Sequence, residues 1–163
     1  MATKNHFTTR IPIDDEYAAI VGKAIYAFAY YEWTIIYMID SLMHGFVTEY
    51  SRPLSNPLTS GVVCSRLKKA INHTQLPVLG VTTDELDNCT ESFERLIIKR
   101  NALIHGHPIT SKDGSQILAY QTSSSKMLSD MIWTSCEVEQ FIKEIDNAAV
   151  ESGVVLQKLR KKP

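Results

Sequence analysis

At 163 residues and 44% hydrophobic content, the chain is long enough for one domain with a real core and too apolar to be disordered. Seventeen basic against 18 acidic residues leave a net charge of −1, which excludes a generally basic nucleic-acid binder and confines any polyanion contact to a local patch. Three scattered cysteines, Cys64, Cys89 and Cys136, contain no CxxC pair, which excludes a disulfide scaffold and points to free thiols in a reducing cytoplasm.

Residues 1–12 read as a loose lead-in, and MATKNHFTTR has no apolar run behind its charges, so no secretory signal is expected. Asp14 or Asp15 is a suitable N-cap for a first helix over 14–43. Between Ala24 and Ile39 this helix is apolar nearly all round, yet it is shorter than the roughly 20 residues of a membrane span and carries Glu32 at its centre. It therefore reads as a helix buried on most sides, in a bundle centre or an oligomer interface, of a protein without membrane association. His44-Gly45 looks like its stop.

Residues 46–58, with Pro53, Asn56 and Pro57, read as a loop. Thr59 or Ser60 can cap a second helix over 59–72, and Pro77 and Gly80 interrupt the chain again. A third helix is expected over 83–105, opened by Thr82 or Thr83 with Asp84 and Glu85 in the first turn. The period then changes. Short β-branched runs flank Asp113-Gly114, a turn signal, and predict a hairpin within 107–122. Thr134-Ser135-Cys136-Glu137 has the form of a capping box and opens a fourth helix over 134–159, with 160–163 as a frayed tail. The expected fold is all-α: one domain over 1–163, a bundle of about four main helices with a small β-hairpin inserted after helix three.

The third helix carries the chemistry. Leu86, Cys89, Phe93, Leu96, Ile97 and Ile104 recur at three-and-four spacing as one apolar stripe. Arg100 lies seven residues after Phe93, in the middle of that stripe, and Asn101 and His105 follow Ile97 along one margin. A guanidinium does not enter a core without a partner, so here the stripe should become the wall of a cleft. The plainer alternative is that Arg100 bridges to a carboxylate and His105 caps the helix C-terminus.

Arg100-Asn101-Ala102-Leu103-Ile104-His105-Gly106 resembles the signature of the ribonucleases of the HEPN superfamily (higher eukaryotes and prokaryotes nucleotide-binding domains). There an Arg, commonly followed by Asn, precedes a His by four to six residues, and Gly often follows the His. Phe28-Ala29-Tyr30-Tyr31-Glu32-Trp33 is similar to the aromatic-rich first helix, with a single Glu, of several bacterial families of that kind. The resemblance implies a helical bundle and a metal-independent endoribonuclease that leaves a 2′,3′-cyclic phosphate and needs no cofactor. It implies a homodimer with paired motifs facing one cleft, RNA rather than DNA as substrate, and a role as a prokaryotic toxin or phage-defence effector held by an antitoxin or regulatory protein. The alternative is a non-catalytic helical module of the same fold that binds RNA, a nucleotide or a partner protein.

The residue types suit that chemistry. Histidine can take a proton from a ribose 2′-hydroxyl, because its ordinary pKa lies near neutrality. Arginine offers a planar, permanently charged fork to a phosphorane-like transition state. The candidate catalytic residues are Arg100, Asn101, His105 and Glu32; Lys99 and His107 are candidate substrate contacts. Asn101 can hold the imidazole, the arginine or the substrate through its amide. Glu32 is costly in an apolar helix unless paired, either as a structural bridge to Arg95, Lys99 or Arg100 or as the group that fixes the Arg100 rotamer. His107 falls in the same spacing window as His105. His105-Gly106-His107 lacks a third ligand, so no metal site is expected. Arg100 and His105 point about 140° apart on a regular helix, so they converge only through a distorted helix end, a long reach by Arg100, or a second copy across a two-fold axis. Arg66-Leu67-Lys68-Lys69, Lys99-Arg100 and the basic tail are the candidate local cationic patches, and a solvated helix face or a frayed terminus is the plainer account of each.

Overall fold

A computed structural model describes residues 12–51, 58–75, 80–121 and 131–161. In chain order the elements are α1 (Asp15–Leu42), α2 (Phe46–Tyr50), α3 (Ser60–His73), α4 (Thr83–Ile104), β1 (His107–Thr110), β2 (Gln116–Tyr120), β3 (Met131–Trp133) and α5 (Ser135–Arg160). The described residues are mostly helical, with one small antiparallel sheet of order β1-β2-β3.

The helix starts follow from capping. Asp14 accepts the Tyr17 N–H at 2.8 Å, and Thr59, Thr82 and Thr134 each accept a first-turn N–H. The reciprocal capping box forms at Thr82 and Glu85, not where the Thr134–Glu137 spacing suggests it; Thr134 supplies only its half. Three further expectations are corrected. Phe46–Tyr50, read as loop, is a short helix, because Asp40 accepts the N–H groups of Gly45 and Val47 and Phe46 inserts into the core. The His44-Gly45 stop holds, since α1 ends at Leu42 with Met43 as its C-cap, and Gly45, in the left-handed region at φ +99°, also opens α2. The hairpin gains a third strand, β3, and Arg160, assigned to the frayed tail, closes α5. The lead-in 1–11, residues 52–57 of the expected 46–58 loop, residue 122 and the last two residues lie outside the described residues.

Helix α1 makes its widest contact with α5 and also packs on α3 and α4. Tyr17 reaches Trp133, just before α5, and Arg160 lies over Tyr37, so α1 and α5 run parallel. Lys99–Glu144 and Lys158–Glu85 tie α4 to α5 in the opposite sense. Phe28, Tyr31 and Phe93 form the aromatic centre, with ring centroids 5.7–6.4 Å apart. The sheet lies at the C-terminal end of α4. Ile117 and Ala119 of β2 turn inward in alternation, and the Tyr17 hydroxyl sits between β2 and β3, donating to Trp133 O at 2.6 Å and accepting from Leu118 N at 3.0 Å.

One expectation about α1 is only half right. Ala24, Phe28, Tyr31, Ile35, Ile36, Met38 and Ile39 are buried, but Tyr26 and Tyr30 are 76% and 69% exposed, and Ile25, Trp33 and Tyr37 also meet solvent. Between Gly22 and Tyr37 one face of the helix is apolar and uncovered.

Candidate active site

The α4 stripe ends as a mixed surface. Leu86, Cys89, Phe93 and Leu96 are buried, and Ala102 and Leu103 continue the core; Ile97 is half-buried and Ile104, placed in the stripe by its spacing, is 43% exposed. Arg100 is half-buried between them. Its guanidinium lies 5.0 Å from the Phe28 ring centroid, within cation–π range, and donates to the hydroxyl of Ser60 at the start of α3. Three helices therefore fix the one cation. Burial raises the Tyr50 pKa, and the Glu32 carboxylate raises it further while Arg100 opposes, so both charges lie within electrostatic reach of this phenol.

Glu32 does not do what its placement suggested. Among the described residues neither Glu32 nor Arg100 forms an ion pair, and Glu32 Oε1 is buried without a hydrogen-bond partner. The expected bridges from Glu32 to Arg95, Lys99 or Arg100 are absent among them. Lys99 holds Glu144 at 2.7 Å, on the α5 side of α4, and so turns away from Arg100. Two of the three cations of the Arg66-to-Lys69 patch are likewise paired, Arg66 with Glu49 and Lys68 with Glu94, and Leu67 is core. In the tail, Lys158 pairs with Glu85.

His105 is the C-cap of α4, its N–H bonded to Asn101 O at 2.9 Å. The backbone is helical through Ile104, so His105 starts about 140° round the axis from Arg100. His105 and His107 are exposed, and neither ring nor the Asn101 amide has a side-chain hydrogen bond among the described residues. The sequence-derived set thus divides. Arg100 meets Ser60 and Phe28, and Glu32 forms no bond to it among the described residues; Lys99 goes elsewhere; the histidines stand at the helix end. Gly106 is required by space: a Cβ there would lie 3.2 Å from Ala102 O, 3.2 Å from Leu118 Cβ and 3.3 Å from Leu103 O. Ser60, Phe28 and Tyr50 are site residues that sequence reasoning missed. Ser60 had a visible signal only as a cap candidate, and Phe28 only as part of the aromatic segment around Glu32.

No three His, Cys, Asp or Glu side chains gather as a cation site among the described residues, and no helix there is long and apolar enough to cross a membrane. Comparison with known protein families, with characterised proteins and with solved structures finds no match.

Proposed function

We propose that the protein is a metal-independent endoribonuclease of HEPN type, with Arg100 as its phosphate-binding group. The observation that carries this is the guanidinium, without an ion pair among the described residues and fixed by Ser60 and Phe28 at the meeting of three helices. A permanent cation held half-buried without a carboxylate is suited to an anion that arrives and leaves. Tyr50, a phenol that keeps its proton at neutral pH and lies within electrostatic reach of that guanidinium, would donate to a phosphate oxygen brought there. His105 would take the proton of the 2′-hydroxyl. The 2′-oxygen would then bond to phosphorus, the 5′-oxygen would leave and be protonated, and a 2′,3′-cyclic phosphate would remain.

His105 starts about 140° from Arg100 within one chain, which favours completion of the site by a second copy. The same offset supports the second interpretation, a helical module that binds RNA, a nucleotide or a partner protein at Arg100 without cutting. A toxin or defence role in the cytoplasm, with an antitoxin or regulatory partner, follows from the motif's resemblance alone.

The test is incubation of the purified protein with total RNA in excess EDTA. Cleavage is expected to persist and to end in cyclic phosphate. His105→Ala should slow it by about 10²–10⁴-fold and Arg100→Ala by about 10²–10³-fold. Absence of cleavage of any RNA, or a His105→Ala variant as fast as wild type with His107→Ala also unaffected, overturns the assignment.

A further inference from the structure

The outward face of α1 is a row of aromatic rings. Tyr26, Tyr30, Trp33 and Tyr37 are all exposed. At 100° per residue they fall within about a 60° sector, and along the axis they span about 16 Å. Monomeric surfaces rarely leave four large rings in register without using them. The row reaches toward the Arg100 site: the Trp33 ring packs edge-on against Tyr50 at 5.4 Å and at a tilt against Tyr37 at 5.7 Å, and the Tyr50 phenol lies within electrostatic reach of Arg100.

Charge distinguishes the occupant. The exposed residues of α1 from Gly22 to Tyr37 include one cation, Lys23, and no carboxylate. At the far end Arg160 lies over the Tyr37 ring at 4.7 Å and makes no ion pair among the described residues. A second copy pairing through this face would set cations against a face whose own charges are cations. A polyanion with flat faces fits both features, since rings accept stacked bases whatever their identity and flanking cations take the phosphates.

We propose that Tyr26, Tyr30, Trp33 and Tyr37 form a platform on which consecutive bases of an unpaired RNA strand stack, leading its backbone past Tyr50 to Arg100. This extends the assignment of Arg100 as the phosphodiester site and rests on it for the direction of the strand. A duplex, whose bases already stack on each other, has no ring faces to offer.

The test uses a short fluorescein-labelled 2′-O-methyl oligonucleotide, which cannot form a cyclic phosphate, read by anisotropy and by tryptophan quenching at low salt. The single strand is expected to bind and quench, and the duplex of the same sequence to bind at least about tenfold more weakly. Tyr26→Ala and Tyr30→Ala, whose exposed rings support no core contact, should each weaken single-strand binding by about tenfold. Trp33→Phe should remove the quench while retaining most of the binding. No binding, or unchanged binding by the Tyr26→Ala/Tyr30→Ala protein, overturns the platform. So does a Tyr30→Ala variant that turns a dimer into a monomer in light scattering with oligonucleotide binding intact, because the face is then a self-interface. The two assignments fail separately. A strand that binds the platform without any RNA being cut removes the nuclease and leaves the platform. RNA cut with unchanged KM by the double variant removes the platform and leaves the nuclease.

Discussion

Gly106→Ala and Gly153→Ala are the same chemical change and should have opposite signs. At Gly153, inside α5, a Cβ would meet nothing within 4 Å. Alanine there gains helix propensity and restricts the unfolded chain, a stabilisation of about 0.5–1 kcal/mol. At Gly106 the new methyl would meet three atoms at 3.2–3.3 Å, two of them backbone oxygens of the last turn of α4, and the third the Cβ of Leu118 in β2. None is the end of a flexible chain, so the helix end and the sheet must separate by a few tenths of an ångström. Overpacking of that kind costs about 1–3 kcal/mol. For a domain of this size each kcal/mol moves the melting temperature by roughly 2–4 °C. Gly106→Ala should therefore melt roughly 2–12 °C below wild type, and Gly153→Ala slightly above it. Scanning calorimetry, with urea midpoints and slopes as a check, gives both values. A Gly106→Ala protein as stable as wild type would mean that the helix end and the sheet do not close on each other as described.

Tyr17→Phe strands Leu118 N and Trp133 O, so it should cost about 2–3 kcal/mol and speed exchange of the Leu118 amide; a loss under about 0.5 kcal/mol would show that water replaces the hydroxyl freely. Burial raises the pKa of Tyr17 and Tyr31 above 10.0, and of Cys89 above 9.0, and pushes Cys64 up to about 11. The folded state keeps protons that the unfolded chain releases, so stability should fall from about pH 9 upward, and a urea midpoint flat between pH 8.5 and 11 would contradict this. Asp113 is held down at about 2 by the Ser111 hydroxyl and the Ser115 N–H, so its support of the β1–β2 turn is present above pH 3.8 and lost toward pH 2. An Asp113 carboxyl titrating near 3.8 by NMR would refute it. Of the three thiols only Cys136 is exposed, so one should react with a thiol reagent in the native protein and the buried Cys64 and Cys89 only on unfolding; two fast thiols would contradict the burial.

Local signals settled the long helices. Asp14, Thr59, Thr82 and Thr134 stand where an extended residue with a short polar side chain can accept a first-turn N–H, and such bonds form within a few residues whatever the rest of the chain does. Asp113-Gly114 marked the turn for the same reason, with Gly114 at φ +89°. Arg100 was conspicuous because a charge in an apolar stripe conflicts with burial, and that conflict is visible in periodicity alone. Its partners were not. Ser60 is 40 residues away and Phe28 farther still, and only the packing of α1 and α3 on α4 brings them to the guanidinium. Glu32 was expected to be the partner because charge complementarity is legible in sequence and distance is not. The uncovered rings of α1 were hidden for a related reason. An apolar stretch shows that a helix can be buried all round, but which of its faces has a neighbour depends on where the other helices lie, and here α3, α4 and α5 leave the Tyr26–Tyr37 face to solvent.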